Sequence, residues 1–333
     1  MTPSTLWVFM KIRLFYFSFA LLALASVSFS ENQATSKKPL DREIAVTFDD
    51  LPAVSTQRDI GTWKEITTKL LKTILSNRIP AIGFVNENKL ISEGQRDEAR
   101  VGLLRMWINA GLELGNHTYS HRSLNTAPLD EFESDAIRGE QTVQALLAEN
   151  GKKLRYFRHP FLHTGRSLET KKAFESFLGG RGYRIAPVTI DNSDWIFARA
   201  YDNAHDAKDD RAMKQVADAY VPYMERKIDY WERQSVALFG REIKQILLVH
   251  ANSINADHFD DMARMLRNRG YRFITLDEAL KDNAFTSADT FTGAAGISWI
   301  HRWAITRGVS KDFFKGEPAT PEFVMKLAGV TSE

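Results

Sequence analysis

Two adjacent acids, Asp49 and Asp50, and two histidines four residues apart, His117 and His121, are the side chains of this sequence best suited to hold a divalent cation and move a proton beside it. The acids close the string Thr47-Phe48-Asp49-Asp50; one carboxylate can bind a metal while its neighbour takes a proton from the metal's water. Such a pair also serves as a turn or a helix cap. The histidines lie in Gly115-Asn116-His117-Thr118-Tyr119-Ser120-His121, where two neutral imidazoles can face one ion. In Arg158-His159-Pro160-Phe161 the arginine would fix one of the acids and keep it ionised, and the proline would stiffen the loop and aim the Phe161 N–H into the site. Asp191-Asn192-Ser193-Asp194-Trp195 sets a tryptophan, a flat platform for a sugar ring or else a core side chain, beside acids. Leu247-Leu248-Val249-His250 ends in a histidine that is either a proton carrier or a strand cap.

The elements that must position these groups alternate. Short apolar runs at 44–48, 81–85, 112–115, 155–158, 183–189, 243–249 and 271–275 read as buried strands. Helical spacing fills 62–77, 96–110, 130–149, 167–178 and 256–268, with Pro80, Gly111 and Gly270 as breakers. Alternation of this kind predicts a parallel sheet, and seven units suit an α/β barrel. All five motifs fall just after strand ends, the catalytic rim of such barrels. The charged stretch 199–241 predicts a helical insertion between the fifth and sixth strands, packed beside the barrel mouth. The tail after Asn283 carries Trp299, His301 and Trp303, which either line a sugar cleft or pack the tail onto the barrel.

Composition narrows the function classes. The 333 residues carry a formal charge of +2, no concentrated basic stripe and no cysteine, so no nucleic-acid partner, disulfide, thiolate metal site or cysteine nucleophile is expected. Lys11 and Arg13 precede an apolar run from Leu14 to Val27 and the small-residue string Ser28-Phe29-Ser30, the pattern of a secretory signal peptide over residues 1–30. A polar leader, 31–40, follows. The chain is therefore expected to be exported, periplasmic or secreted, with no stable membrane span after cleavage. The barrel is expected over 41–283 and a C-terminal extension over 284–333.

From Ile44 to about Leu280 the motifs resemble the polysaccharide deacetylase family, carbohydrate esterase family four with its NodB homology domain; the Thr-Phe-Asp-Asp and His-Thr-Tyr-Ser-His strings carry the likeness most specifically. The resemblance implies a distorted (β/α)7 barrel and a metal-dependent hydrolase that removes N-acetyl groups from an amino-sugar glycan of chitooligosaccharide or peptidoglycan type. It implies Asp49 as general base, Asp50, His117 and His121 as metal ligands, and Arg158 as the residue that positions the base. It further implies Asp194 tuning a general acid His250, Trp195 lining the groove, Leu248 lining the acetyl pocket, and the Phe161 N–H meeting the oxyanion. Two imidazoles and one carboxylate suit zinc first, then cobalt, nickel or iron. Two departures bear on substrate: Phe161-Leu162 stands where the family often has tyrosine and glycine, and the insertion is long. Three other readings stay open here: an iron(II) oxygenase, a catalytically silent glycan-binding protein, and the same fold acting on O-acetyl esters or another C–N bond.

Overall fold

A computed structural model describes residues 42–333; the signal peptide and leader expected from the sequence lie outside the described residues. Seven parallel strands form the central sheet: β1 (Arg42–Val54), β2 (Ile82–Val85), β3 (Glu113–Asn116), β4 (Tyr156–Phe157), β5 (Arg184–Ile185), β6 (Gln245–Asn252) and β7 (Tyr271–Phe273). The ladder runs β5-β4-β3-β2-β1-β6. Beyond β5, a single parallel bridge between Ile190 and Leu247 joins the chain to β6 and closes the ring. Ile44 pairs with Gln245 on one side and with Phe273 on the other, so β7 wedges against β1 at the end remote from the motifs. This is the distorted barrel that the alternation and the resemblance imply.

Period-two alternation sorts β1 into two roles. Ile44, Val46 and Phe48 face outward into the large core shared with the helices. Ala45 faces inward and packs with Ile82, Phe84, Tyr156, Ala186, Ile246 and Ile274, the plug of the barrel. Thr47 and Asp49 continue that inward set toward the rim. The same parity on β6 sends Ile246, Leu248 and His250 inward, and the ladder pairs Asp49 with His250. Adjacent strands lie ~4.8 Å apart, so these two side chains stand next to one another at the mouth.

The helices are α1 (Ile60–Ser76), α2 (Glu98–Asn109), α3 (Leu129–Arg138), α4 (Gln141–Glu149), α5 (Leu168–Gly180), α6 (Asp194–Asp206), α7 (Asp210–Phe239), α8 (Ser253–Asn268), α9 (Leu276–Ala279), α10 (Trp299–Thr306) and α11 (Glu322–Ala328). Among these described residues no helix is long and apolar enough to cross a membrane. The stretch expected as one helix over 130–149 is two, α3 and α4, because Gly139 breaks it. A Cβ at 139 would collide with the Thr118 and Tyr119 backbone, so the break is where the loop after β3 leans on this layer. The strand expected over 183–189 pairs only through Arg184–Ile185, since Pro187 offers no N–H to a ladder.

The insertion is the pair α6 and α7, and it buttresses a motif loop from behind. Tyr223 accepts from the Ser193 N–H at 3.1 Å, Trp231 donates to the Asp191 carbonyl at 2.8 Å, and Tyr220 donates to Asn255 at 2.6 Å. The tail tryptophans pack the tail onto the barrel, and they also border a cavity of about 270 Å³ with Lys171, Asp289 and Arg302. Trp303 is 1% exposed, the Trp299 backbone N–H donates to the Val188 carbonyl at 2.8 Å, and the Ser298 hydroxyl donates to the Thr189 carbonyl at 2.7 Å. The tail thus covers the flank where one bridge closes the barrel.

Gly139→Ala is expected to lower unfolding stability by about 1–3 kcal/mol, the scale of overpacking against fixed backbone. Denaturant unfolding measures it, and a midpoint equal to the parent's would contradict the close approach described here.

Candidate metal centre

A straight strand would send Asp49 and Asp50 to opposite faces. It does not, because Asp50 is in the left-handed region with φ 68° and the β1 register shifts on both sides around it. Both carboxylates therefore reach the mouth, as bulges at barrel rims permit. Eight non-glycine residues among the described ones have positive φ, and five belong to the motif loops: Asp50, Thr118, His121, Phe161 and Leu162. Each costs of order 1–3 kcal/mol and persists only where surroundings dictate it. The concentration of strain at one rim marks it as a built site.

Asp50 Oδ1 lies 3.6 Å from His117 Nε2 and 3.4 Å from His121 Nε2. The three donor atoms lie within 4.8 Å of one another, the one such grouping of acids and histidines among the described residues. His117 Nδ1 is 2.8 Å from the Arg158 carbonyl, which sets the proton on Nδ1 and leaves the Nε2 lone pair facing Asp50. The loop carrying both histidines is held from several sides. Asn86 donates to the His117 carbonyl at 2.6 Å, Asn116 accepts from the Thr118 N–H at 2.7 Å, and Asp135 accepts from the Ser120 N–H and hydroxyl at 3.1 and 2.8 Å.

The donor set fits a divalent cation. Asp50 Oδ1 and Asp49 Oδ1 are buried acceptors without a hydrogen-bond partner, and two imidazole lone pairs converge on the same space. Leaving such groups unmatched is costly, and one cation would satisfy Asp50 and both rings. Burial and the neighbouring His121 hold His117 well below its ordinary range, and burial lowers His121 as well, which favours neutral rings of the kind a metal ligand needs. Burial alone would raise Asp50, but Lys89, His121 and His117 bring it below the usual carboxylate range.

Asp49 is 2% exposed and sits in a different field. Arg158, fully buried, spans the barrel interior: Nη1 reaches Asp49 Oδ2 at 3.2 Å, Nη2 donates to Thr47 Oγ1 at 2.9 Å, and Nε donates to the Ala186 carbonyl at 2.8 Å. Burial raises the Asp49 carboxyl to about 6 against the opposing pull of Arg158 and His250.

Opposite, His250 Nδ1 meets Asp194 Oδ1 at 2.7 Å. Asp194 is fully buried, and its Oδ2 accepts from the His250 N–H, Asn252 and Asn255 at 2.8, 3.0 and 2.8 Å. Burial would lower His250, yet the Asp194 charge and hydrogen bond outweigh it and raise the imidazole to about 9. Leu248 is buried below His250, with its carbonyl accepting from Asn192 at 2.7 Å. Trp195 is 42% exposed and Phe161 53%, so the tryptophan is no core residue and two aromatic faces are open to solvent. The Phe161 ring meets the His121 ring edge-on at 4.4 Å.

The structure therefore brings the sequence's candidates to one rim. Sequence reasoning missed Lys89, which donates to the Asp50 carbonyl at 2.7 Å and stands 3.8 Å from its carboxylate. It also missed the amides Asn86, Asn116, Asn252 and Asn255. Single polar residues in loops have no periodicity to reveal them; only Asn116, inside the histidine string, could have been suspected.

The family described as polysaccharide deacetylase matches residues 36–175. Over 153 residues the chain is 26% identical to a peptidoglycan-N-acetylglucosamine deacetylase of Bacillus cereus, a match covering 46% of each protein. Over 154 residues it is 27% identical to a chitin deacetylase of Colletotrichum lindemuthianum, covering 46% of this chain and 52% of that one. The chain thus spans about half the length of these curated relatives. Among solved structures, a mutant of a CE4-family pseudoenzyme, whose unmutated form is from Bacillus anthracis, superposes with a TM-score of 0.50 at 17% identity, over 73% of this chain and 69% of that one. This likeness bears on the fold. Residues 36–175 of this chain are thus similar to the polysaccharide deacetylase family.

The His250–Asp194 pair is expected to be visible in titration. His250 is raised above its ordinary value near 6.5, so the pair stabilises the fold fully below that pH and the contribution is lost as pH rises through about 9. In Asp194→Asn the His250 titration, followed by NMR of the imidazole protons, is expected to fall well below that of the parent. An unchanged titration would contradict the assigned pairing.

Proposed function

We propose that this chain is a metal-dependent hydrolase that removes N-acetyl groups from an amino-sugar glycan of chitooligosaccharide or peptidoglycan type, releasing acetate. The observation that carries the reading is the convergence of Asp50, His117 and His121, with a second buried acid, Asp49, alongside. The relatives' names, a peptidoglycan deacetylase and a chitin deacetylase, support the substrate class. A pseudoenzyme of similar fold is a reminder that the fold alone carries no activity; the full set of metal-binding and proton-transfer side chains does.

In this reading Asp50, His117 and His121 hold one divalent cation, zinc before cobalt, nickel or iron. Once bound, such a cation supplies Lewis-acid polarisation of the acetyl carbonyl and acidifies water. Asp49 then takes the proton of the attacking water. Its raised pKa makes it a stronger base than an exposed aspartate, and Arg158 at 3.2 Å keeps the carboxylate aimed. The Phe161 N–H donates to the oxygen that gains charge on the substrate. His250, charged at neutral pH through Asp194, donates its proton to the departing amine. Trp195 and Phe161 offer aromatic faces to the sugar, and Leu248 bounds the acetyl methyl.

The developed acid on His250 favours amide over ester cleavage, because an amine leaves only once protonated whereas an alkoxide needs less help. Two carboxylates pushed in opposite directions and a histidine held charged have no task in oxygen activation. A cell-envelope or extracellular glycan agrees with the export expected from residues 1–30.

Acetate release from N-acetylated chitooligosaccharides and peptidoglycan, with and without chelator and with no cosubstrate, tests the reading. Asp49→Asn is expected to keep its metal and lose at least about 100-fold in kcat; turnover near the parent's would contradict the base. His117→Ala is expected to lose the metal on dialysis, and unchanged metal content would remove the ligand set.

A further inference from the structure

The tail after Asn283 lies outside the family-matched residues 36–175 and carries none of the five motifs, yet it closes on the loop that bears Phe161. Phe161 and Leu162 have φ of 56° and 55°, two consecutive left-handed residues neither of which is glycine or asparagine. Such a turn does not hold itself.

Gly296 backs directly onto it. A Cβ at 296 would fall inside the Phe161 carbonyl oxygen, 2.8 Å from its carbon and 3.1 Å from Leu162 Cβ. Arg302, fully buried on α10, donates from Nη1 to the Leu162 carbonyl at 3.4 Å and from Nη2 to the Thr164 hydroxyl. Asp289 at 2.9 Å and the Trp299 ring at 4.1 Å keep that guanidinium in place. Asn125 ties the same parts together, donating to the Gly293 and Ala294 carbonyls at 3.3 and 3.0 Å while accepting from the Gly165 N–H at 3.0 Å. On its other side the turn meets His121 through the Phe161 ring.

We propose that Gly296 and Arg302 are positioning residues for the deacetylation site: the tail fixes the left-handed Phe161–Leu162 turn, and so decides where the Phe161 N–H and ring stand beside the His121 loop. The inference rests on the reading of Phe161 given under Proposed function. The tail is fastened to the barrel separately, through Trp299 to Val188 and Ser298 to Thr189, so enlarging Gly296 moves the turn without releasing the tail.

The test uses the full chain, loaded with zinc and labelled at histidine, so that the His121 ring protons report the Phe161 ring current whether or not there is turnover. Gly296→Ala is expected to move that resonance toward its position in Phe161→Ala. It should also lower kcat for acetate release, by up to the roughly 100- to 1,000-fold that complete loss of an oxyanion donor costs, with little change in KM and one equivalent of zinc retained, and with a lowered melting temperature from the same kind of overpacking as at Gly139. Arg302→Lys, which keeps the charge facing Asp289 but cannot span Leu162 and Thr164 together, is expected to act in the same direction and serves if Gly296→Ala does not fold. An unmoved His121 resonance overturns the proposal, as does a moved one with parental kcat. If the resonance moves but the parent releases no acetate from any glycan, the anchoring is supported and the deacetylase reading is overturned.

Discussion

Asp49 and Asp50 place two carboxylates, one buried and one partly buried, on consecutive residues, and like charges so close oppose each other's ionisation. The rest of the site answers that constraint by giving each acid its own field. Asp49 faces inward along β1 and meets Arg158 through the barrel interior. Asp50, turned by its left-handed backbone, meets two imidazole lone pairs and the Lys89 ammonium. Consequently one acid is lifted to about 6 while the other is held low, and equal residue types acquire unequal tasks.

The fold's part is to make that separation rigid. β1 carries both acids because it is central, pairing with β2, β6 and β7. The ladder sets His250 beside Asp49, so the two side chains flank the same space through strand register and not through loop placement. Around this, the loops supply strain and the outer layers restrain it. Gly139 admits the histidine loop against α3 and α4, and α7 braces the Asp191–Asp194 loop. The tail seals the flank where a lone bridge completes the ring.

Much of this was legible in the sequence, for reasons that also explain what was not. Apolar bursts such as Ile44–Phe48 identify buried strands, and strand ends in a barrel point at chemistry, so the rim and its acids and histidines could be read directly. The full extent of β1 to Val54 could not, since two acids and a proline argue against a strand; only the shifted pairings to Val85 and Asn252 reveal it. Apolar spacing carries through Gly139, and the broken helix shows itself only in a contact with residues 118 and 119, distant in sequence. Lys89 and the supporting amides act through three-dimensional proximity alone. The tail tryptophans had two sequence readings that composition could not separate; in the structure they are buried against the barrel and also border a cavity.

The central claim is that Asp50, His117 and His121 share one cation. X-ray absorption at the metal edge of the full chain, loaded with one equivalent of zinc, tests it most directly. The account predicts a single stoichiometric site with scattering from two imidazoles and light-atom oxygen donors, reduced to one imidazole in His121→Ala. A spectrum without imidazole scattering, or one that the His121 substitution leaves unchanged, would contradict it.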